Sequence, residues 1–326
     1  MNYIGSKKKL SQWILNTVVS EVEKLDDKVF CDLFAGTGTV GQTFKPYTKS
    51  VISNDLEYYS FVLNKNYIEN TKNLYEYIKI LQEIKNKIKP VKGFIYNNFC
   101  SSANRLYFSD INGQLIDAWR IKIENYKDDE NLYYFLLASL LESADKVANV
   151  ASVYASFLKK LKKTALKELD VQPATFIETN QTNKVFNEDA LELITKIEGD
   201  ILYLDPPYNT RQYSANYHIL NIIATYDTTI KLKGKTGLPE NYNKSKFSSK
   251  KDVISAFETL IKNANFKHIF LSYNNEGIIP TNTIKEIMEK YGKYKLIEKD
   301  YKRFKADSNR EYKSDVVKEQ LHVLNK

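Results

Sequence analysis

The chain has 326 residues, 43% hydrophobic and 27% charged, enough apolar mass for one large α/β domain with a smaller inserted or appended one. Its longest apolar stretch, 132–141, contains two tyrosines and a serine and falls short of the roughly 18 apolar residues that a membrane span requires. A formal charge of +8 and a pI near 9.0 suit a polyanionic partner, while two cysteines, Cys31 and Cys100, and three histidines exclude a Cys- or His-rich metal centre.

Lys7–Lys9 are followed by polar positions instead of the apolar block of a signal peptide, so a cytoplasmic protein without membrane attachment is expected. From residue 7 to 25, Leu10, Trp13, Ile14, Thr17, Val18, Val22 and Leu25 recur at helical spacing. A short apolar run at 28–34 closes on glycines and predicts a strand, in which Cys31 is a small core residue. Residues 36–45 then predict a helix, 51–54 a second strand and 56–67 another helix. Strand–helix–strand order of this kind starts a parallel, doubly wound α/β sheet.

The pattern changes after that. Helical periodicity dominates from about 68 to 180, with helices predicted over 74–88, 111–123, 132–146 and 150–169. Strands resume at 201–204, 267–272, 294–298 and 320–324, separated by helices near 213–226, 251–263 and 282–290. The simplest architecture is an α/β domain over 1–67 and 183–326, split by a helical insertion over 68–182. A polar, Lys- and Gly-rich stretch, 231–249, is long for a loop and marks a functional or mobile segment.

Asp32-Leu-Phe-Ala-Gly-Thr-Gly-Thr-Val-Gly41 lies where the first strand meets a helix. Gly36, Gly38 and Gly41 fit G-x-G-x-x-G, and Asp55 closes the next strand 23 positions after Asp32. Glycines let the backbone turn sharply and approach a ligand, and an acid at that distance suits ribose hydroxyls. NAD and S-adenosylmethionine both carry adenosine, so this turn serves either. Asp32 leans toward S-adenosylmethionine, because a carboxylate suits its cationic amino-acid end and repels a pyrophosphate.

Ile201-Leu-Tyr-Leu-Asp-Pro-Pro-Tyr208 is an apolar strand that ends in Asp205-Pro206-Pro207-Tyr208. Ligands of open α/β sheets collect at the carboxyl ends of strands, where this tetrapeptide and the glycine turn share one crevice. The residue types match the chemistry of an exocyclic adenine amine, whose lone pair is delocalised into the ring. The Asp205 carboxylate and the Pro206 carbonyl are two acceptors that draw its N–H groups toward a pyramidal nitrogen. Pro206 and Pro207 fix φ near −65° and stiffen that geometry. Tyr208 offers a face for a base flipped out of the duplex, worth about 1–3 kcal/mol of stacking, and for the cationic charge that builds on nitrogen.

With these motifs in place, the chain resembles the D12 class of N6-adenine DNA methyltransferases, of Dam-like and restriction-modification type, α group. The resemblance covers nearly the whole length and implies a Rossmann-like S-adenosylmethionine-dependent methyltransferase sheet with helices on both faces, interrupted by the helical insertion. Asn2-Tyr-Ile-Gly-Ser-Lys7 resembles the N-terminal motif, which nominates Tyr3 and Lys7 as cofactor-binding. Asp32–Gly38 resembles the glycine motif and adds Phe34 to Asp32, Gly36 and Gly38. Asp55 matches the ribose acid and Asp189, in Asn187-Glu-Asp189, the acid for the cofactor's adenine. Asp205, Pro206, Pro207 and Tyr208 match the catalytic motif, and Leu271-Ser-Tyr-Asn274 resembles a strand end lining the base pocket. Gly5-Ser6 departs from the two glycines of many Dam-like members. The run from Asn209 to His218 is closer to a restriction-modification subgroup, which implies a type II modification enzyme with a cognate restriction endonuclease. An aspartate at position 205, where cytosine-N4 enzymes usually carry Asn or Ser, points to adenine.

Double-stranded DNA is therefore the expected partner, and a monomer the expected state. Candidate phosphate contacts are Lys159 and Lys163 on the 150–169 helix, alternatively a solvated face over a leucine stripe of Leu158, Leu161 and Leu166. Further candidates are Lys233 and Lys235 in the 231–249 segment, and Arg303 among Lys302, Lys305, Arg310 and Lys313. Arg211, Gln212 and Tyr213 either read DNA near the flipped base or pack the helix that follows. His218 is expected to be a structural network member. The helical insertion is the expected target-recognition domain. Rival functions are an NAD-dependent oxidoreductase sharing only the glycine turn, an RNA adenine methyltransferase, and a DNA-binding module without catalysis.

Overall fold

The computed structural model describes residues 5–302 and 316–326 of the chain, which divide into two compact units. A sheet unit is built on Lys7–Leu56, Thr182–Gln212 and Lys244–Lys326, and a helical unit on Glu57–Gln181 and Tyr213–Asn243.

The sheet unit carries seven strands: β1 Val29–Asp32, β2 Ser50–Asn54, β3 Lys184–Phe186, β4 Glu198–Leu204, β5 Asn265–Asn274, β6 Lys293–Lys302 and β7 Val316–Asn325. They lie in the order β3-β2-β1-β4-β5-β7-β6. The first five are parallel, whereas β7 runs antiparallel to both β5 and β6. From β1 the chain steps outward through β2 to β3, and from β4 it steps the other way to β5. The order thus reverses between β1 and β4, the point at which open α/β sheets hold their ligands. The antiparallel β7 wedged between β5 and β6 departs from the 3-2-1-4-5-6 order of dinucleotide-binding folds.

Parallel strands covered on both faces read as apolar runs, and those of this sheet do. On one face Cys31, Ile52, Leu202, Leu204, Ile269 and Leu271 share a core with Phe257, Leu260, Ile284 and Met288 of the helices Val253–Asn263 and Thr281–Glu289. On the other, Phe30 stacks on Phe44 at 3.9 Å between centroids, beneath the helix Thr39–Phe44.

In the helical unit, Leu74–Lys87, Asp110–Ile123 and Glu130–Val147 pack around Trp119, Phe135, Leu136 and Leu140, all buried. Ser109 and Asp129 cap two of these helices through the N–H groups of Asn112 and Leu132. A small hairpin, Leu232–Lys233 against Leu238–Pro239, occupies part of the stretch expected to be a long loop.

The helix predicted over 150–169 is absent; bends and turns take its place. The buried Asn149 supplies the reason. Its Nδ2 donates to the carbonyls of Leu106 and Leu158, and its Oδ1 accepts the N–H of Lys162. A side-chain amide thus satisfies backbone groups that a helix would pair internally. Leu166, expected in a buried stripe, is 65% exposed. Conversely β3, three residues after a polar run, is too short to show a period, and the helix Phe94–Phe99 was not foreseen. The helix expected near 213–226 is two pieces, Tyr213–Asn216 and His218–Thr225. The units also divide differently from 67/68 and 182/183, because Tyr58–Asn64 and 213–243 cluster with the helices.

Replacing Asn149 by Ala leaves three backbone groups without their partner. It is expected to cost about 2–4 kcal/mol, read as a lower urea midpoint of the helical unit's far-UV signal.

Candidate active site

Four aspartates stand at the carboxyl ends of four neighbouring strands. Asp189 follows β3, Asp55 follows β2, Asp32 ends β1 and Asp205 follows β4. With strands about 4.8 Å apart the row spans roughly 14 Å, the reach of a nucleoside with an amino-acid tail. Amides tie the ends of β1, β2 and β3 to one another. Asn54 Nδ2 donates to the carbonyls of Leu33 and Glu188, its Oδ1 accepts the Glu188 N–H, and Asn187 Nδ2 donates to the carbonyls of Asp55 and Leu56.

At β1 the chain turns through Gly36 and Gly38, both in the left-handed region at φ 52° and 75°, which side chains other than glycine resist. The Gly36 N–H donates to Asp55 Oδ2 at 2.7 Å, closing the turn onto the end of β2. Asp32 Oδ2 accepts the Gly41 N–H, but Oδ1 is buried with no hydrogen-bond partner among the described residues. Burial, the charge of Asp205 and, more weakly, that of Asp55 push the Asp32 carboxyl well above its ordinary range against the Gly41 hydrogen bond. An orphaned carboxylate oxygen at the switch point lacks a cation. The ammonium of a methionine-type tail fits that need, and a pyrophosphate does not.

At β4, Asp205 is held from the other side. Lys7 Nζ lies 3.0 Å from Asp205 Oδ1 and 3.0 Å from Glu319 Oε1 of β7. Glu319 Oε1 in turn accepts from Ser272 Oγ of β5 at 2.9 Å. The three charged side chains are 8%, 17% and 10% exposed for Lys7, Asp205 and Glu319. Burial alone would lower the Lys7 ammonium, yet the two carboxylates hold it well above its usual value. Asp205 rises to about 6: burial raises it, Lys7 opposes that, and Glu319 raises it again. The charge of Asp205 bears on Asp32, and β1 and β4 are paired neighbours, so the glycine turn and the tetrapeptide leave adjacent strand ends.

The other nominated residues fall around this centre or elsewhere. Phe34, half-buried, meets Phe247 edge-on at 4.9 Å. Tyr208 packs on the rim of the core, and its carbonyl accepts the Ile278 N–H. Asp189 caps the turn that follows it through the Leu191 N–H. Lys7, nominated as a cofactor neighbour, is engaged by Asp205 and Glu319, and Ser272 of the nominated base-pocket strand by Glu319. Gln212 is clamped at both ends of its amide, accepting from Ser245 N and donating to Ser245 O. Arg211 is exposed, and Tyr213 stacks on Tyr217. His218 places both ring nitrogens 3.1 Å from carbonyl oxygens, those of Ala215 and Thr236, as a network member does.

Lys159, Lys163, Lys233 and Lys235 are all exposed, the first two on irregular chain and not on the expected helix. Tyr3, Arg303 and the rest of the third basic cluster, from Arg303 to Lys313, lie outside the described residues, as do the side chains of Tyr301 and Lys302. Arg105, which the sequence did not single out, fastens the hairpin tip by donating to the carbonyls of Gly234 and Lys235. Glu319 was missed as well. Its signal was an acid at the head of a strand segment, Glu319 to Leu324, that is buried on both faces.

The sheet order and the two strand-end motifs define a Rossmann-like methyltransferase. More narrowly, the chain belongs to the family of D12 class N6 adenine-specific DNA methyltransferases, whose model matches residues 3–303. It is 55% identical to the type II methyltransferase M.NlaIII of Neisseria lactamica, over 100% of this chain and 99% of that protein. It is 40% identical to the type II methyltransferase M.CviAII of Paramecium bursaria Chlorella virus 1, over 94% and 93%. The type II methyltransferase M.FokI of Planomicrobium okeanokoites is 38% identical over 95% of this chain, which matches 50% of that longer protein. Family membership sets aside the oxidoreductase and RNA readings. No helix among the described residues is long and apolar enough to cross a membrane.

Asp205 accepts strong, charge-assisted hydrogen bonds from an amine, and can take up its proton, only while ionised. With its carboxyl near 6, kcat/KM for DNA is expected to fall as pH drops through about 6, tenfold per unit below it, in a pH-rate profile.

Proposed function

We propose that the chain transfers the methyl group of S-adenosylmethionine to N6 of an adenine flipped out of double-stranded DNA, as the modification enzyme of a type II restriction-modification system. The observation that carries this reading is the adjacency of Asp32 and Asp205 at neighbouring strand ends across the switch point. The names of the relatives support the restriction-modification assignment.

S-adenosylmethionine, when bound, supplies an electrophilic sulfonium methyl. Asp32 receives the ammonium of its amino-acid tail, Gly36 and Gly38 let the backbone approach, and Asp55 and Asp189 serve the ribose and the adenine. Phe34 packs beside it, and Tyr3 and Lys7 border the site. The Asp205 carboxylate and Pro206 carbonyl accept from the N6 amine, with Pro207 stiffening the turn and Tyr208 stacking the base. The proton that N6 sheds passes to Asp205, which releases it to water at neutral pH because its carboxyl sits near 6.

The helical unit is proposed to read the target sequence, with Lys159, Lys163, Lys233 and Lys235 on phosphates and Arg211 and Tyr213 beside the displaced base. Arg303 joins them from the chain between β6 and β7. The chain acts as a monomer in the cytoplasm, its endonuclease partner functional and not physically bound.

Asp205→Ala is expected to abolish tritiated methyl incorporation into DNA while S-adenosylmethionine affinity, by calorimetry, stays within a few-fold. Full activity in that variant would overturn the catalytic assignment. In cells expressing the protein, long-read sequencing should find N6-methyladenine in essentially every copy of one short sequence. Methylation scattered over unrelated adenines, or confined to RNA, contradicts the restriction-modification reading.

A further inference from the structure

The tetrapeptide chemistry needs one carboxylate at Asp205, yet the structure places a second one on the same ammonium. We propose that Glu319 is a positioning residue for methyl transfer, sharing Lys7 with Asp205 so that the buried cluster keeps a net negative charge beside the amine that turns cationic. The inference rests on Asp205 being the acceptor in the reading above.

The geometry is specific. Lys7 bridges Oδ1 of Asp205 and Oε1 of Glu319 at 3.0 Å each, which ties the two carboxylates to one ammonium. Ser272 Oγ holds Glu319 Oε1 at 2.9 Å, so the second carboxylate is itself oriented from β5. One ammonium between two carboxylates leaves one unit of negative charge. A lone Lys7–Asp205 pair would be neutral, and its carboxylate a poorer acceptor.

The sign of that charge matters for the reaction. As the N6 lone pair forms the new nitrogen–carbon bond, the sulfur–methyl bond pair remains on sulfur and positive charge passes to N6. A preorganised negative cluster next to N6 stabilises the charge where it arrives, more than where it started. The groups facing Asp205 are Lys7 from the N-terminal segment, Glu319 from β7, Asp32 from β1, Tyr203 from β4 and Tyr208 from its own loop. Lys7 is the cation among them. Removing the Glu319 charge therefore leaves Lys7 wholly to Asp205 and lets its carboxyl titrate lower.

The test is a pH profile of kcat with tritiated S-adenosylmethionine and double-stranded genomic DNA free of N6-methyladenine, for wild type and Glu319→Gln. The plateau is expected to drop roughly 10- to 100-fold while the acid limb moves below its wild-type midpoint and cofactor affinity stays within about threefold. An unchanged limb with an unchanged plateau overturns the proposal. A lower plateau with an unmoved limb does so too, because a merely structural role gives that result. Should Glu319→Gln fail to fold, Glu319→Asp keeps the charge and is expected to keep the wild-type limb; a limb displaced downward there contradicts the proposal. Absence of methyl incorporation by the wild-type protein would instead sink the methyltransferase reading itself.

Discussion

The site depends on keeping carboxylates ionised where the sheet is dry. Lys7 makes this possible on one side of the switch point, pairing Asp205 at 3.0 Å in surroundings that favour a neutral acid. A buried pair of this kind contributes little net stability, because desolvation offsets most of the attraction. Its consequence is positional: removing Lys7 would leave two buried carboxylates without their cation, so the tetrapeptide, β7 and the N-terminal segment are held to one arrangement. Across the switch point Asp32 has no such partner among the described residues, and its Oδ1 is buried. One carboxylate has a counter-ion within the protein, while the other, in the function proposed, receives one from the methyl donor.

The scaffold makes this economical. Parallel strands end at one edge, and β3, β2, β1 and β4 each deliver an aspartate there. The strand order reverses between the paired strands β1 and β4, and open sheets of this kind hold their ligands in the crevice beyond the carboxyl ends at that point. The amides of Asn54 and Asn187 then tie adjacent strand ends to one another, so the acids are held by hydrogen-bonded backbone instead of free loops. Rigidity of that kind is what electrostatic stabilisation demands, since a mobile carboxylate must reorganise at each turnover.

Much of this was legible in the residues because the chemistry is local. Asp32 to Gly41 and Asp205 to Tyr208 are contiguous, and each motif sits at the end of an apolar run that announces its strand. The sheet strands beyond β3 were found for the same reason. Features that depend on distant partners stayed hidden. Glu319 meets Lys7 across more than three hundred positions, and Arg105 meets the hairpin across about 130. The run 150–169 has helical spacing, but Asn149 takes over its backbone hydrogen bonds, a tertiary effect that overrides local preference. Gln212, in a segment nominated for DNA, is spent on Ser245 because position alone does not reveal what an amide will meet.

In the proposed function the two strand ends flank one reaction centre, Asp205 held by Lys7 and Asp32 facing the methyl donor's ammonium. A crystal structure with S-adenosylhomocysteine and a duplex containing the methylated sequence tests it most directly. The expected result is the ligand's ammonium on Asp32 Oδ1, and an extruded adenine over Tyr208 with N6 within hydrogen-bond distance of the Asp205 carboxylate. An ammonium bound away from Asp32, or an adenine whose N6 meets neither Asp205 nor the Pro206 carbonyl, would contradict it.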